Sequence, residues 1–454
     1  MNVSRETVKN GGVYDMDITG YTADGAGVGR VDGQVVFVPR TIAGERVRAR
    51  IVNVGRTAAH GAVVEVLRAS EHRVEPECPY FGRCGGCDFW HMDYAAELEC
   101  KRQRVLDAFL RIGGMALPEL NINGAAVQTG YRNKVQFPMQ AQKGRAAAGF
   151  YRTRSHEVIA IETCRIQPKC ADEMRRAVLA WMAEYHIPAY DERRHAGLVR
   201  HIYVRRAQSG AALCCVVLNA EKTPFAEALV RAVRAAAPET VGVVASYNTV
   251  RGNVVLGARE EVLWGEGALW DVLCGLEFSL APRAFYQVNH DQAERLYAKA
   301  VEFAALDAGQ TALDLYCGAG TITLCLARRA GKVYGVEVVD AAVLNARENA
   351  ARNGITNAEF FCADAGQAAQ RFADEGMTPD VIVVDPPRKG VSADGLAAMV
   401  RMAPQRIVYV SCDPATLARD AKALCEAGYA LRAAEAFDLF PRCAHVETVC
   451  LLTR

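Results

Sequence analysis

The period of hydrophobic and polar positions changes three times along the chain. Over about residues 13–68 apolar and polar residues alternate in short runs, QVVFVP, RVRARIVNV and GAVVEVL, separated by glycine-rich turns. That period of two predicts half-buried strands, and their number and brevity predict a small closed β-barrel of the OB kind over residues 1–70. Barrels of this size often bind single-stranded nucleic acid. A cysteine-rich knuckle, Cys78–Cys87, follows, then a helical pattern from about Tyr94 to Arg111. Strand-like runs (KVQFPM, HEVIAIE, HIYVRRA, ALCCVVL) then mix with helical ones (CADEMRRAVLAWMAEY, FAEALVRAVRAAA), which predicts an α+β region completing a central domain, residues 71–282. From about Ala284 the pattern becomes regular: TALDLY, KVYGVEV, EFFCAD, DVIVVD and RIVYVS alternate with helices, and YALRAAEAF and HVETVCLL close the chain. This predicts an α/β, Rossmann-like domain over residues 283–454, with a parallel sheet and ligands at the carboxyl ends of its strands.

Composition narrows the picture. The 454 residues are 51% hydrophobic and 23% charged, a balance typical of folded globular protein in several domains. The first residues, MNVSRETVKNGG, contain no apolar core of a secretory signal, and no apolar run approaches the ~20 residues that span a bilayer. The expectation is a cytoplasmic protein without a membrane partner. Lys and Arg total 53 against 52 Asp and Glu, so net charge selects no partner. Local charge is more informative. Between Tyr131 and Lys169 eight basic residues face only Glu157 and Glu162, and Arg193–Arg206 adds five arginines with no acid. Such segments suit either a phosphate-binding face or a solvated basic surface. Of sixteen cysteines, Cys214, Cys215, Cys325, Cys425 and Cys450 fall in apolar or helical contexts and read as small buried hydrophobes.

Chemistry concentrates at the predicted strand ends of the last domain. Asp314-Leu315-Tyr316-Cys317-Gly318-Ala319-Gly320 follows a strand and opens a helix, but Thr323 stands where a dinucleotide fingerprint requires glycine. Glu337 ends the second strand and Asp364 the third. A glycine turn followed by two such acids suits S-adenosylmethionine, the first acid taking the ribose hydroxyls. Asp385-Pro386-Pro387-Arg388 ends the fourth strand. It lacks the aromatic residue by which amino-group methylases hold a nitrogen, and the cysteine carried here by cytosine-C5 methylases of RNA. Ser411-Cys412-Asp413-Pro414 ends the fifth strand, placing a cysteine before a helix N-terminus, where the dipole favours thiolate. A thiolate adding to C6 of uracil would activate C5 as a nucleophile, and a base must then remove the C5 proton. Glu447, an acid in the apolar terminal strand, is the candidate base.

Taken together, YRNK (131–134), PRAFYQVN (282–289), DLYCGAG, VDPPRKG, SCDP and VETV resemble, in order, the blocks of the RNA uracil-5-methyltransferase family. The resemblance covers nearly the whole chain. It implies a TRAM-type RNA-binding barrel, Cys412 as nucleophile and Glu447 as base. It also implies S-adenosylmethionine contacts at Gln287, Tyr316, Glu337 and Asp385, with Gly318 and Gly320 in the turn, Thr321 where the family often has Asn, and Asp364 nearby. Ribosomal-RNA members bind a [4Fe–4S] cluster through the pattern found here as Cys78-x5-Cys84-x2-Cys87 and Cys164, so the resemblance implies those four ligands. By spacing alone four thiolates suit a cluster or zinc, with Cys164 and Cys170 as distal candidates. The pattern is not the C-x3-C-x2-C of radical enzymes, so a structural or RNA-positioning cluster is expected. The implied activity is synthesis of 5-methyluridine in large-subunit (23S) rRNA, with tRNA second, by a monomer. Its rivals are an RNA-binding iron–sulfur protein with an inactive methylase domain, and a cytosine methylase.

Overall fold

The computed structural model describes residues 8–117 and 119–454; the first seven residues of the predicted barrel domain lie outside these. Strands β1 (Val13–Tyr21), β2 (Gly27–Val31), β3 (Gln34–Val38), β4 (Arg46–Val54) and β5 (Ala58–Arg68) close into a barrel in the order β1-β2-β3-β5-β4. The period of two does this directly. Val47, Ala49 and Ile51 of β4 point inward, while Arg46 and Arg50 point out. Arg48 on the outer wall reaches Asp15 and Glu65 across neighbouring strands.

Helix α1 (Tyr94–Ala108), capped by Asp93, continues as a π-helical turn, Phe109–Gly113. A short strand, β6 (Asn121–Asn123), follows. The central region then forms a seven-stranded sheet from β7 (Lys134–Gln142), β8 (Arg145–Tyr151), β9 (Val158–Ala160), β10 (Val199–Arg206), β11 (Ala212–Leu218), β12 (Thr240–Tyr247) and β13 (Arg259–Gly265), in the order β13-β12-β11-β10-β7-β8-β9. Helices α2 (Lys169–Glu184) and α3 (Ala226–Ala236) cover one face, packing Trp181, Val178 and Leu229 onto Phe137, Ile202 and Val216. On the other face Tyr203, Leu213 and Cys215 join the core of the C-terminal domain. Strand β11 is therefore buried throughout, which is why ALCCVVL reads as an unbroken apolar run.

The C-terminal unit opens with the hairpin β14 (Leu269–Leu273)–β15 (Leu276–Leu280) and α4 (His290–Ala304). Its Rossmann-like part alternates β16 (Thr311–Leu315), α5 (Thr321–Ala327), β17 (Lys332–Glu337), α6 (Asp340–Arg352), β18 (Ala358–Cys362), α7 (Ala365–Asp374), β19 (Val381–Val384), α8 (Ala393–Met402), β20 (Arg406–Ser411) and α9 (Pro414–Glu426). Strands β21 (Ala430–Phe437) and β22 (Glu447–Thr453) complete an eight-stranded sheet, β18-β17-β16-β19-β20-β22-β21-β6. The sheet is parallel from β18 to β20, and β22 runs antiparallel to β20.

Two expectations need correction. The boundary at 282 cuts across packing: β14–β15 buries Leu269, Leu273 and Phe278 in one core of the C-terminal sheet, while Val105 of α1 and Phe109 of the π turn join the other. Strand β6 pairs with β21. Segments remote in sequence thus pack with the C-terminal sheet, which local pattern cannot report. Nor is the whole basic cluster a phosphate surface. Arg200 and Arg205 are buried and donate to backbone oxygens: Arg200 to Asn248 and Val250, Arg205 to Pro282 and Ala284.

A buried ion cluster ties α1 to the β21–β22 connection. Lys101 Nζ donates to Glu97 Oε1 at 2.7 Å, Asp438 Oδ1 at 2.7 Å and the Phe440 carbonyl at 3.1 Å. Glu97 also accepts from the Arg442 backbone N–H at 2.7 Å, and Asp438 from the Tyr94 hydroxyl at 2.8 Å. Burial opposes the charge on Lys101, but the two carboxylates outweigh it and hold its pKa above the ordinary value. Lys101→Met would strand two buried carboxylates. It is expected to destabilise the protein by about 3–5 kcal/mol, read as a lowered midpoint in urea unfolding.

Candidate active site and cysteine cavity

The strand ends of the catalytic sheet converge as the doubly wound topology requires. Strands β20 and β22 pair in antiparallel register with Ser411 opposite Thr448. One step further along the same register sets Cys412 opposite Glu447. Asp385 follows β19 next door, in register with β20. Three strand ends that are distant in sequence thus bring the thiol and two acids to one edge. Asp413 caps α9, accepting from the N–H groups of Ala415 and Thr416 at 2.9 and 3.2 Å.

The electrostatics differ from the expectation for Cys412. Burial, then the carboxylates of Glu447 and Asp385, push its thiol up to about 11, against the opposing Arg388 guanidinium. The helix N-terminus therefore does not make a resting thiolate, because desolvation and two nearby acids outweigh it. Glu447 is 3% exposed. Burial, then Asp385, raise its carboxyl to about 8, with Arg388 opposing. Burial alone lifts Asp385 to about 7. Asp314, fully buried under the glycine turn, is likewise raised to about 7 by burial, although Thr323 Oγ1 donates to it at 2.5 Å.

The cofactor-type residues surround the turn after β16. Tyr316 and Gly318 both have left-handed backbones, with φ of 76° and 55°. Space above Gly318 is open, with nothing within 4 Å of where a Cβ would lie. Glu337 closes the turn from the end of β17, its Oε2 accepting from the Gly318 N–H at 3.1 Å. Gly320 abuts Ala346 and Phe360, and Thr321 Oγ1 lies 3.4 Å from the Tyr297 hydroxyl. Gln287 is buried, and its carbonyl accepts from Asn133 Nδ2 at 2.8 Å. Asp364 lies two residues beyond β18 and caps α7, accepting from Gly366 and Gln367. The open turn, with acids at adjacent strand ends, fits an adenosyl ligand with a ribose near Glu337 and a positive centre near Asp385.

Residues that sequence reasoning missed complete the edge. Tyr297 of α4 is fully buried against Thr321, with Asp385 and Glu447 among its charged neighbours. Arg388 lies 3.3 Å from His445 Nε2 and faces both Cys412 and Glu447. Tyr297 carries no local signal, because it acts from a helix distant in sequence; Arg388 lies in the quoted DPPR motif, but its role beside Cys412 and Glu447 depends on the tertiary fold. A groove of about 1050 Å³ runs up to this edge between the barrel (Tyr21, Arg30), α1 (Gln103, Arg104) and the start of α9 (Asp413, Pro414).

A separate cavity of about 270 Å³ has Cys78, Cys84, Cys87 and Cys164 in its wall. Burial raises the thiols of Cys84 and Cys164, the latter to about 12. Cys170 instead belongs to the apolar core under α2, which removes it as a distal ligand. Among the described residues no group of three or more His, Cys, Asp or Glu side chains closes on a point that could hold one metal ion. All four cysteines that the resemblance implies as cluster ligands line this one cavity. Cys443, unforeseen from spacing, lies beside Cys87 and donates to the Gly86 carbonyl.

Residues 275–454 match the family model "tRNA (Uracil-5-)-methyltransferase" and residues 7–64 the TRAM domain. The chain is 40% identical over 447 residues to an uncharacterized RNA methyltransferase of Clostridium tetani, spanning 98% of this chain and 97% of that one. It is 39% identical over 457 residues to another from Halalkalibacterium halodurans, spanning 100% and 99%. Among solved structures, the Pyrococcus abyssi tRNA (uracil-54, C5)-methyltransferase in complex with S-adenosyl-L-homocysteine superposes with a TM-score of 0.78 at 25% identity, over 96% of this chain and 99% of that one. Among the described residues no helix is long and apolar enough to cross a membrane.

The raised carboxyl of Glu447 has a thermodynamic consequence. Its folded value near 8 exceeds the ordinary 4.5, so its contribution to stability is intact below pH 4.5 and falls as pH rises to 8. Glu447→Gln is expected to melt with wild type at pH 4 and above it at pH 8.5, as calorimetry at both pH values would show.

Proposed function

The chain belongs to the tRNA (uracil-5-)-methyltransferase family of RNA methyltransferases, and on that premise we propose that it methylates C5 of uridine in large-subunit (23S) rRNA through Cys412 and Glu447. The observation that carries the reading is the juxtaposition of this thiol and this carboxyl on neighbouring strand ends, beside a turn suited to S-adenosylmethionine. Cys412 sulfur adds to C6 of the uracil, and the displaced C5=C6 pair spreads towards O4, making C5 nucleophilic. Gln287, Tyr316, Glu337 and Asp385 would hold S-adenosylmethionine, which would supply the methyl group taken by C5 as its S–CH3 bond breaks and neutral S-adenosylhomocysteine is left. The Glu447 carboxylate accepts the C5 proton, the C5=C6 bond reforms, and the Cys412 thiolate leaves. Arg388 is the cation that favours the ionised forms of both groups. Cys412 rests as a thiol and gives its proton to solvent before the sulfur adds to C6.

The groove between barrel, α1 and α9 supports an RNA strand entering beside Cys412, its target uridine turned out of the stack at a cost of a few kcal/mol. Cys78, Cys84, Cys87 and Cys164 would hold a [4Fe–4S] cluster that fixes the knuckle against the loop leading to Glu447. The cysteine set and the TRAM domain together favour ribosomal RNA. The Pyrococcus likeness favours tRNA as the second reading.

Incubation with S-adenosylmethionine and 5-fluorouracil-substituted large-subunit rRNA is expected to yield a covalent adduct on denaturing gels, absent from Cys412→Ala. On unmodified RNA, Glu447→Gln is expected to accumulate a methylated adduct. Adduct on tRNA alone would shift the substrate. Adduct on neither, with S-adenosylmethionine still bound, would overturn the catalytic assignment. Below pH 8 the wild-type kcat/KM is expected to fall with decreasing pH, as Glu447 takes up its proton. Anaerobically purified protein should contain iron and labile sulfide, lost in Cys164→Ser. Zinc without iron would contradict the cluster.

A further inference from the structure

A second cavity, of about 140 Å³, lies at the start of α4 and shares only Arg132 with the wall of the thiol cavity. Asn133, Asn289 and Gln292 are in its wall, with Arg206, Arg295 and Asp291 among the lining residues. Asn289 and Gln292 are 4% and 1% exposed. Asn289 Nδ2, Gln292 Oε1, Asn133 Oδ1 and the Nε of Arg132, which also lines the cavity, nevertheless have no hydrogen-bond partner. Buried polar groups are ordinarily satisfied, and each unpaired one is costly. Three amides and one guanidinium nitrogen around one cavity make an incomplete polar surface.

The orphan atoms are held in place by their own side chains. The Oδ1 of Asn289 accepts from the Gln292 N–H at 3.4 Å, capping α4, and the Nδ2 of Asn133 donates to the Gln287 carbonyl. The amides offer one donor and two acceptors, and Arg132 Nε adds a second donor. A phosphate accepts only, so it would leave both oxygens unpaired, and Asp291 would repel it. The edge of a nucleobase carries donors and acceptors side by side, which amide side chains read. The cavity also backs onto the segment carrying Gln287, whose backbone carbonyl accepts from Asn133. Arg206 and Arg295 can face the adjoining sugar–phosphate backbone.

We propose that this cavity takes one further, unstacked base of the RNA and reads its hydrogen-bonding edge through Asn289 and Gln292. The inference rests on RNA as substrate, not on which nucleotide is methylated. Two variants isolate the contacts. Gln292→Leu removes the orphan acceptor. Asn289→Asp removes the orphan donor and keeps a residue that caps helices well.

Fluorescence anisotropy with twelve-nucleotide rA, rC, rU and alternating rG–rU strands, each against an abasic strand of equal length, tests this. Wild type should bind at least one base-bearing strand more tightly than the abasic strand. Each variant should lose about tenfold of that preference. The abasic strand reports any change in backbone binding, including the charge added by Asn289→Asp. Preferences equal in wild type and both folded variants, as checked by thermal melting, would overturn the proposal and leave the cavity to water. If only one variant folds, that variant decides. Failure of the methylation reading would appear separately, as a wild-type protein that forms no fluorouracil adduct.

Discussion

The ammonium group of Lys101, buried between two carboxylates, is the constraint on which the site depends. Asp438, Phe440 and Arg442 lie on the connection that ends at Glu447, and all three bond to the Lys101–Glu97 pair of α1. The same connection meets the cysteine knuckle. The Arg442 carbonyl accepts from the backbone of Asp88 and Phe89, and Ala444 donates to Asp88. Buried charges tolerate little drift, because any displacement leaves one of them uncompensated in a medium of low dielectric. The knuckle, α1 and the final strand are therefore held as one piece, and the position of Glu447 is set from outside its own sheet.

At the strand ends the balance tips the other way. Asp314, Asp385, Glu447 and Cys412 share a small region, with Arg388 as the cation nearest the thiol and Glu447. Burial pushes every one of these groups towards its neutral form, and neighbouring carboxylates add to it at Asp314, Glu447 and Cys412. Such an edge is poised for a ligand that brings positive charge, and for chemistry in which protons move between neighbours. The contrast is one of partners. Lys101 has two carboxylates and keeps its charge, whereas Cys412 has carboxylates beside it and keeps its proton.

Much of the fold was legible where a local period survives burial on one face. The barrel strands, α2, α3 and the β16–β20 alternation stand where their patterns place them. Strand β12, β13 and the β14–β15 hairpin were not read: β12 divides its residues between two cores, and β13 is an edge strand that is mostly half-buried or exposed. The register that faces Cys412 with Glu447 follows from β22 lying antiparallel to β20. Sequence alone placed Glu447 beside the fifth strand, but not in this register.

By itself the sequence determined the barrel, the strand–turn–helix pattern around Gly318 and Gly320, and the choice of Cys412, Glu447, the three knuckle cysteines and Cys164 as candidates. These depend on residue type and short spacing, which the chain carries locally. Only the tertiary structure decided that Arg200 and Arg205 serve the interior, that Cys170 belongs to a core, that Arg388 and Tyr297 complete the catalytic edge, and that Cys412 rests as a thiol. Each of these outcomes turns on burial and on partners distant in sequence. Dielectric and proximity are properties of the folded whole, and no window along the chain contains them.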